Sequence, residues 1–309
     1  MPEMRVTESP VCSVDRSTFA EEYPFESRFL EIDGVRMHYV DEGSGHPLLM
    51  VHGNPTWSFA WRRLIRELST EYRVIAVDHI GCGLSDKPQR YTYQLKQHIA
   101  NLSRFVEQLD LSGVTLMAHD WGGPIGVGAA IHHRNRFSRF ILFNTAAFRS
   151  TAIPLRIAVC RIPILGAFAI RGLNLFSRAA LLMAVEKRER MTQPIRSGYL
   201  APYNSWKNRI AVLRFVQDIP LRAGHPSYEC LSGIEAGLSQ LDTSRVLLIW
   251  GMQDWCFTPW FLREFQQRLP HAETFAIEHA GHYVFEDAHE TVLPRVRQFL
   301  EDSPRELRD

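Results

Sequence analysis

Of the chain's 309 residues, 45% are hydrophobic and 22% charged, which argues against disordered and fibrous classes and suits one large core with an insertion. A formal net charge of +1 provides no field to hold nucleic acid. The five cysteines, Cys12, Cys82, Cys160, Cys230 and Cys256, are odd in number and never form a C-x-x-C pair. They point away from a disulfide framework or zinc site and fit a reducing cytoplasm.

The opening "MPEMRVTESPVCSVDRS" has neither the basic nor the apolar region of a secretory signal, so residues 1–24 are expected to form an irregular arm. In "RFLEIDGVRMHYV", apolar alternation on either side of Asp33-Gly34 predicts an antiparallel hairpin. Six apolar runs follow: "LLMVH" (48–52), "RVIAVD" (73–78), "VTLMAH" (114–119), "RFILFN" (139–144), "RVLLIW" (245–250) and "ETFAIE" (273–278). Near-continuous runs of this length suit strands buried on both faces of a parallel sheet. Between them, Trp57, Trp61, Leu64, Ile65 and Leu68 share one helix face, as do Leu95, Ile99, Leu102, Val106 and Leu109. The alternation predicts an α/β fold, a mostly parallel eight-stranded sheet with helices on both faces. It breaks at 148–240, where helical stretches intervene, so an inserted helical cap is expected between core segments 25–147 and 241–302.

Within that insertion, "AIPLRIAVCRIPILGAFAIRGLNLFSRAALLMAV" (152–185) is apolar but broken by Arg156, Arg161, Arg171 and Arg178. Its longest uninterrupted apolar run, Ile162 to Ile170, is far short of the ~20 residues of a membrane span. Helices packing on the core are the simpler reading; a greasy, Arg-fringed surface for self-association or lipid-like substrates is the sharper one.

"VTLMAHDWGGPIG" places Asp120 at a sharp turn from buried strand to helix, where many hydrolases carry a Gly-x-Ser-x-Gly nucleophile. Helix capping is its bland alternative. "VHGNPTW" follows the third strand, where such folds build part of an oxyanion hole, and Asn54 can offer its amide there. Asp254 in "IWGMQDWCFTP" and His282 in "EHAGHYVFED" each lie four residues beyond a predicted strand end. A lone Asp or His in a loop is usually a turn or packing residue, but the order nucleophile, acid, histidine on one sheet edge is that of a catalytic triad. His52 and His119 are read as shaping their loops.

"HGNPTW", "DHIGCGLSDKP", "HDWGGP", the Asp254 loop and "AGHYVFED" together resemble the haloalkane dehalogenases of the α/β-hydrolase superfamily, from about Phe25 to Leu300. The resemblance implies Asp120 as nucleophile, His282 as base, Asp254 as its acid partner, and Asn54 with Trp121 as the halide-binding pair. The alternative acid position falls in "FNTAAF", which has no carboxylate, and Trp206 is only a weak candidate for a further halide donor. A carboxylate is already ionised at neutral pH and can displace a leaving group from saturated carbon. His282 would then activate water to hydrolyse the Asp120 alkyl ester. No cofactor or metal is implied; the partners are a small hydrophobic substrate and water.

The chain looks closest to the third dehalogenase subfamily, which also resembles the β-lactone decarboxylases of olefin biosynthesis. "NTAAF" and "GYLAPYNSWKNRIAVLRFVQDIPL" carry that second likeness. A β-lactone also has a saturated carbon bearing an anionic leaving group. The intact Asn54 and Trp121 pair puts dehalogenation first, with decarboxylation as the alternative. An epoxide hydrolase would need cap tyrosines, for which Tyr199 and Tyr203 are the candidates, and a ligand sensor would bind without turnover. Homo-oligomers or association with olefin-biosynthesis enzymes are further expectations.

Overall fold

The Asp33-Gly34 turn forms as its sequence requires. In the computed structural model, which describes residues 14–302, β1 (Arg28–Ile32) and β2 (Val35–Glu42) pair antiparallel. Both turn residues have positive φ, +53° and +75°, as a two-residue hairpin turn of this hand demands. The sheet continues with β3 (Pro47–Val51), β4 (Arg73–Val77), β5 (Val114–Asp120), β6 (Phe137–Thr145), β7 (Val246–Gly251) and β8 (Glu273–Ile277). Its spatial order is β1-β2-β4-β3-β5-β6-β7-β8, with every pair from β4 to β8 parallel. The chain steps outward from β3 to β4 and then returns to place β5 on the other side of β3. That reversal opens a crevice beyond the carboxyl ends of β3 and β5, the place where ligands bind in open α/β sheets.

Alternate side chains of the central strands enter two separate cores. Leu48, Met50, Met117, Ile141, Phe143, Leu247 and Ile249 join one; Leu49, Val51, Leu116, Ala118, Leu142, Leu248 and Trp250 join the other. Burial on both faces is why these strands read as unbroken apolar runs, each Leu, Ile or Val contributing roughly 1.5–3 kcal/mol. β8 departs from that expectation: it is the edge strand, paired only with β7, and its residues are exposed or half-buried.

Helices α1 (Arg62–Leu68), α2 (Leu95–Gln108), α3 (Gly122–His132), α10 (Pro259–Arg268), α11 (Val284–Asp287) and α12 (His289–Glu301) flank the sheet; a 3₁₀ turn over Ser58–Trp61 leads into α1. Between β6 and β7 lie α4 (Leu155–Cys160), α5 (Leu165–Ala167, continued by a π-helical turn Phe168–Gly172), α6 (Leu175–Met183), α7 (Gln193–Leu200), α8 (Ile210–Gln217) and α9 (Tyr228–Gly237). α9 packs on α2 and α3, with Ile234 in the sheet-side core, while α4 to α8 cover the crevice end. Residues 1–13 of the expected arm lie outside the described residues; from Val14 to Pro24 there is neither helix nor strand, yet Phe19 and Tyr23 are buried against Trp57 and Phe59.

Candidate active site

Asp120 ends β5 on a backbone with φ +52°, and α3 begins two residues later. Holding a non-glycine residue there costs roughly 1–3 kcal/mol, and such strain is tolerated when it aims a side chain. The turn is tight because Gly122 lies against the Val51 carbonyl, where any Cβ would overlap. Thr145 braces it by donating its hydroxyl proton to the Asp120 carbonyl at 2.5 Å. No side-chain bond caps α3; the Asp120 carboxylate instead accepts the backbone N–H of Asn54 at 2.7 Å, across the crevice. Burial pushes the Asp120 pKa up, opposed by charge on His282 and by the N–H groups of Asn54 and Trp121.

His282 lies with Nε2 3.8 Å from Asp120 Oδ2 and Nδ1 2.8 Å from Asp254 Oδ2. The Asp254 carboxylate is fully engaged. Its Oδ1 accepts the backbone N–H groups of Cys256 and Phe257, and its Oδ2 also accepts from Asn144 Nδ2 at 2.9 Å. Burial alone would lower the imidazole pKa, but the Asp254 charge and hydrogen bond, helped by Asp120, raise it on balance. Phe257 stacks on the ring, and His119 Nε2 lies 2.9 Å from the His282 carbonyl oxygen. Burial holds His119 neutral, so its Nε2–H donates to that carbonyl and fixes the loop. His52 does the same for the Asn54 loop: its Nδ1 meets the Gly53 carbonyl at 2.7 Å and its Nε2 accepts the His79 N–H at 3.0 Å.

Asn144 was not foreseen. It sits on β6 within "FNTAAF", and its side chain both accepts from Gly251 N–H and donates to Asp254, tying β6 to the acid loop. Its one legible signal is a lone amide directly after the apolar run "FILF".

Asn54, Asp120, Trp121 and His282 share the wall of one cavity of about 410 Å³, whose remaining lining is dominated by apolar side chains of the helices beyond β6. One Asn54 amide proton goes to the Val212 carbonyl at 3.2 Å, leaving the second for a ligand. The Trp121 ring rests on Phe215, and its indole N–H has no protein partner among the described residues. Two donors thus converge beside a carboxylate in an apolar chamber, an arrangement that can stabilise a departing anion far better than water-exposed donors can.

The two tyrosines considered for epoxide opening are committed elsewhere. Tyr199 donates to Glu286 at 2.6 Å and Tyr203 to the Thr56 carbonyl at 2.8 Å, and neither lines the cavity. An epoxide-opening pair is therefore not formed. Trp206 is exposed with Arg171 over its ring, away from the cavity. The Tyr199 contact belongs to a buried ion pair, Arg62 to Glu286, both about 1% exposed. Burial works against both charges, but each partner outweighs it, raising the guanidinium pKa and lowering that of the carboxyl. Glu286→Ala would leave the buried Arg62 guanidinium only the partly exposed Glu22, 3.1 Å from its Nε, so a stability loss of about 3 kcal/mol is expected by denaturant unfolding. A loss under about 1 kcal/mol would show that Glu22 or water compensates the Arg62 charge.

Comparison with known proteins agrees with this architecture. The alpha/beta hydrolase fold family matches residues 46–289. A cis-3-alkyl-4-alkyloxetan-2-one decarboxylase of Shewanella oneidensis is 42% identical, covering 91% of this chain and 90% of its own, and that of Xanthomonas campestris is 41% identical, covering 91% and 98%. Haloalkane dehalogenase 2 of Mycobacterium bovis is 32% identical over 92% of this chain and 98% of its own. Among solved structures, the haloalkane dehalogenase DatA of Agrobacterium tumefaciens superposes with a TM-score of 0.80 at 26% identity, covering 89% and 96%. Matched over most of its length in both sequence and structure, the chain belongs to the α/β-hydrolase fold family.

Proposed function

We propose that this enzyme opens a β-lactone carrying two alkyl chains and releases it as an alkene and carbon dioxide, with Asp120 as nucleophile and no cofactor. The observation that carries this reading is the higher overall identity to the decarboxylase relatives than to the dehalogenase: 42% and 41% against 32%, each over about nine-tenths of the chain. That ordering reverses the preference drawn from the residues alone, which put dehalogenation first because Asn54 and Trp121 are both in place. Both readings use the same displacement, and the second stays in view for that reason.

On the decarboxylase reading, Asp120 attacks the ring carbon that bears the lactone oxygen, forming an alkyl ester and breaking that C–O bond. The freed carboxylate is held by Asn54 and Trp121. Loss of carbon dioxide then leaves an electron pair that becomes the C=C bond and expels Asp120. No water or proton is consumed. Backside attack puts the Asp120 oxygen anti to the carboxylate without bond rotation, so a cis lactone gives a cis alkene. With a haloalkane, the same attack expels halide, and His282, held by Asp254, takes a proton from water to hydrolyse the ester. Helices from the 148–240 insertion, α9 excepted, serve as the cap that excludes bulk water. A cytoplasmic setting, with homo-oligomers or partners in olefin biosynthesis, completes the proposal.

Purified enzyme assayed in parallel on a dialkyl β-lactone and a 1-bromoalkane tests it. Rapid alkene release with slow bromide release is expected; rapid bromide release without alkene would instead make this a dehalogenase. Trp121→Phe keeps the ring on Phe215 but removes the N–H. Loss of one such donor is expected to lower turnover of both substrates by about 10²–10³, read from initial rates. An unchanged rate would remove Trp121 from the anion site.

A further inference from the structure

Nine of the twelve exposed large hydrophobic side chains among the described residues fall between Leu155 and Leu182, on α4 to α6 and their connections. Single exposed leucines need no explanation, but their concentration on one layer does. Ile164 is the extreme case. It is 86% exposed on a backbone with φ +66°, a region that β-branched residues avoid. The cavity opens within this face, since Val159 and Leu175 are both exposed and part of its lining.

The charge around the face is one-sided. From residue 146 to 185 there is no Asp or Glu, while Arg149, Arg156, Arg161, Arg171 and Arg178 intervene. Arg149 pairs with Glu235. Arg156 and Arg178 are exposed, and Arg161 and Arg171 donate to the backbone carbonyls of Ile219 and Trp206. Arg156 lies over the Trp255 ring. None of these last four has a carboxylate partner among the described residues. An apolar face ringed by uncompensated guanidinium groups is complementary to anionic lipid headgroups over acyl chains. Among the described residues no single helix is long and apolar enough to cross a membrane; Leu165–Gly172 and Leu175–Met183 reach that length only together, bent by 73°. Short bent helices suit lying in an interface rather than spanning it.

We infer that the outer face of α4 to α6 seats the enzyme on an anionic phospholipid bilayer, turning the cavity mouth toward the acyl chains so that an apolar substrate enters without crossing water. Its purpose rests on the apolar substrate proposed above, but the binding itself is measured without turnover. The test is co-sedimentation of the full chain with phosphatidylcholine vesicles, with and without phosphatidylglycerol. Binding to the anionic vesicles that weakens with salt is expected. The variant Ile164→Ser with Leu165→Ser and Phe168→Ser changes no cavity-lining residue, and is expected to lose at least about tenfold in vesicle affinity while keeping its turnover of a short, water-soluble bromoalkane. Arg156→Gln with Arg178→Gln is expected to weaken vesicle binding about thirtyfold. No sedimentation with anionic vesicles, or binding indifferent to both variants, overturns the inference. So does a triple-serine variant that dissociates a lipid-free oligomer yet still binds vesicles, because a second copy of the chain would then cover the face. Intact vesicle binding by an enzyme that makes no alkene upholds the surface and overturns only the substrate.

Discussion

Asp120→Asn is expected to lower both alkene and bromide release by at least about 10⁴-fold, with little change in fold. The substitution removes the charge but keeps the shape, and asparagine tolerates the positive φ at this turn better than most residues. An amide oxygen is too weak a nucleophile to displace carboxylate or halide from saturated carbon. The backbone N–H of Asn54 keeps an acceptor at this position, so the buried donor is not orphaned. Asp120→Ala gives the same chemical result but leaves that donor unpaired, at about 1–3 kcal/mol. Circular dichroism should therefore show native structure in both variants and a lower unfolding midpoint for alanine. A ligand sensor would behave differently: binding would survive and no turnover would be lost, because none existed. Substantial residual turnover in Asp120→Asn would remove this carboxylate from the chemistry altogether.

The parts of the molecule that follow from local pattern were legible in its residues. The buried strands announce themselves as apolar runs because both faces are covered, and Asp33-Gly34 announces a turn because few dipeptides accept two positive φ values. The same run at 273–277 misleads, since an apolar strand can also close a sheet edge, and nothing in five residues tells which neighbours it lacks. The grouping of Asp120, Asp254 and His282 was legible through order and topology rather than through any single residue. Contacts made across the sheet were not. Asn144 reaches Asp254 over a separation of 110 residues, and Tyr199 is drawn from the cavity by Glu286, 87 residues away. Such partnerships depend on register and on how the helices between β6 and β7 are placed, which spacing does not encode. Substrate class lay further out again, because displacement at saturated carbon is shared by both readings and only overall likeness ranks them.

The sharpest separation between those readings is expected from His282→Phe. The new ring keeps the stack on Phe257 but holds no proton. Attack by Asp120 on a bromoalkane needs no base, so one equivalent of bromide per site should be released and turnover should then stop, leaving an alkyl adduct on Asp120 visible by mass spectrometry. Steady-state dehalogenation falls by about 10⁴-fold or more, since hydrolysis of the ester requires a group to take the proton of water. Alkene formation from the β-lactone should persist within about tenfold, because loss of carbon dioxide expels Asp120 with no proton transfer. The pH profiles sharpen the contrast. In the native enzyme, dehalogenation needs neutral His282, whose pKa is raised, so it is lost as pH falls through that raised value. Alkene formation needs only ionised Asp120, whose pKa the His282 charge lowers against the effect of burial. Removing the imidazole takes that help away, so the acid limb of alkene formation should move to higher pH in the variant. An unmoved limb would mean that His282 is uncharged when Asp120 attacks. Loss of alkene formation as complete as the loss of dehalogenation would mean that the ester intermediate leaves Asp120 by water in both reactions, and decarboxylation by direct expulsion would fail.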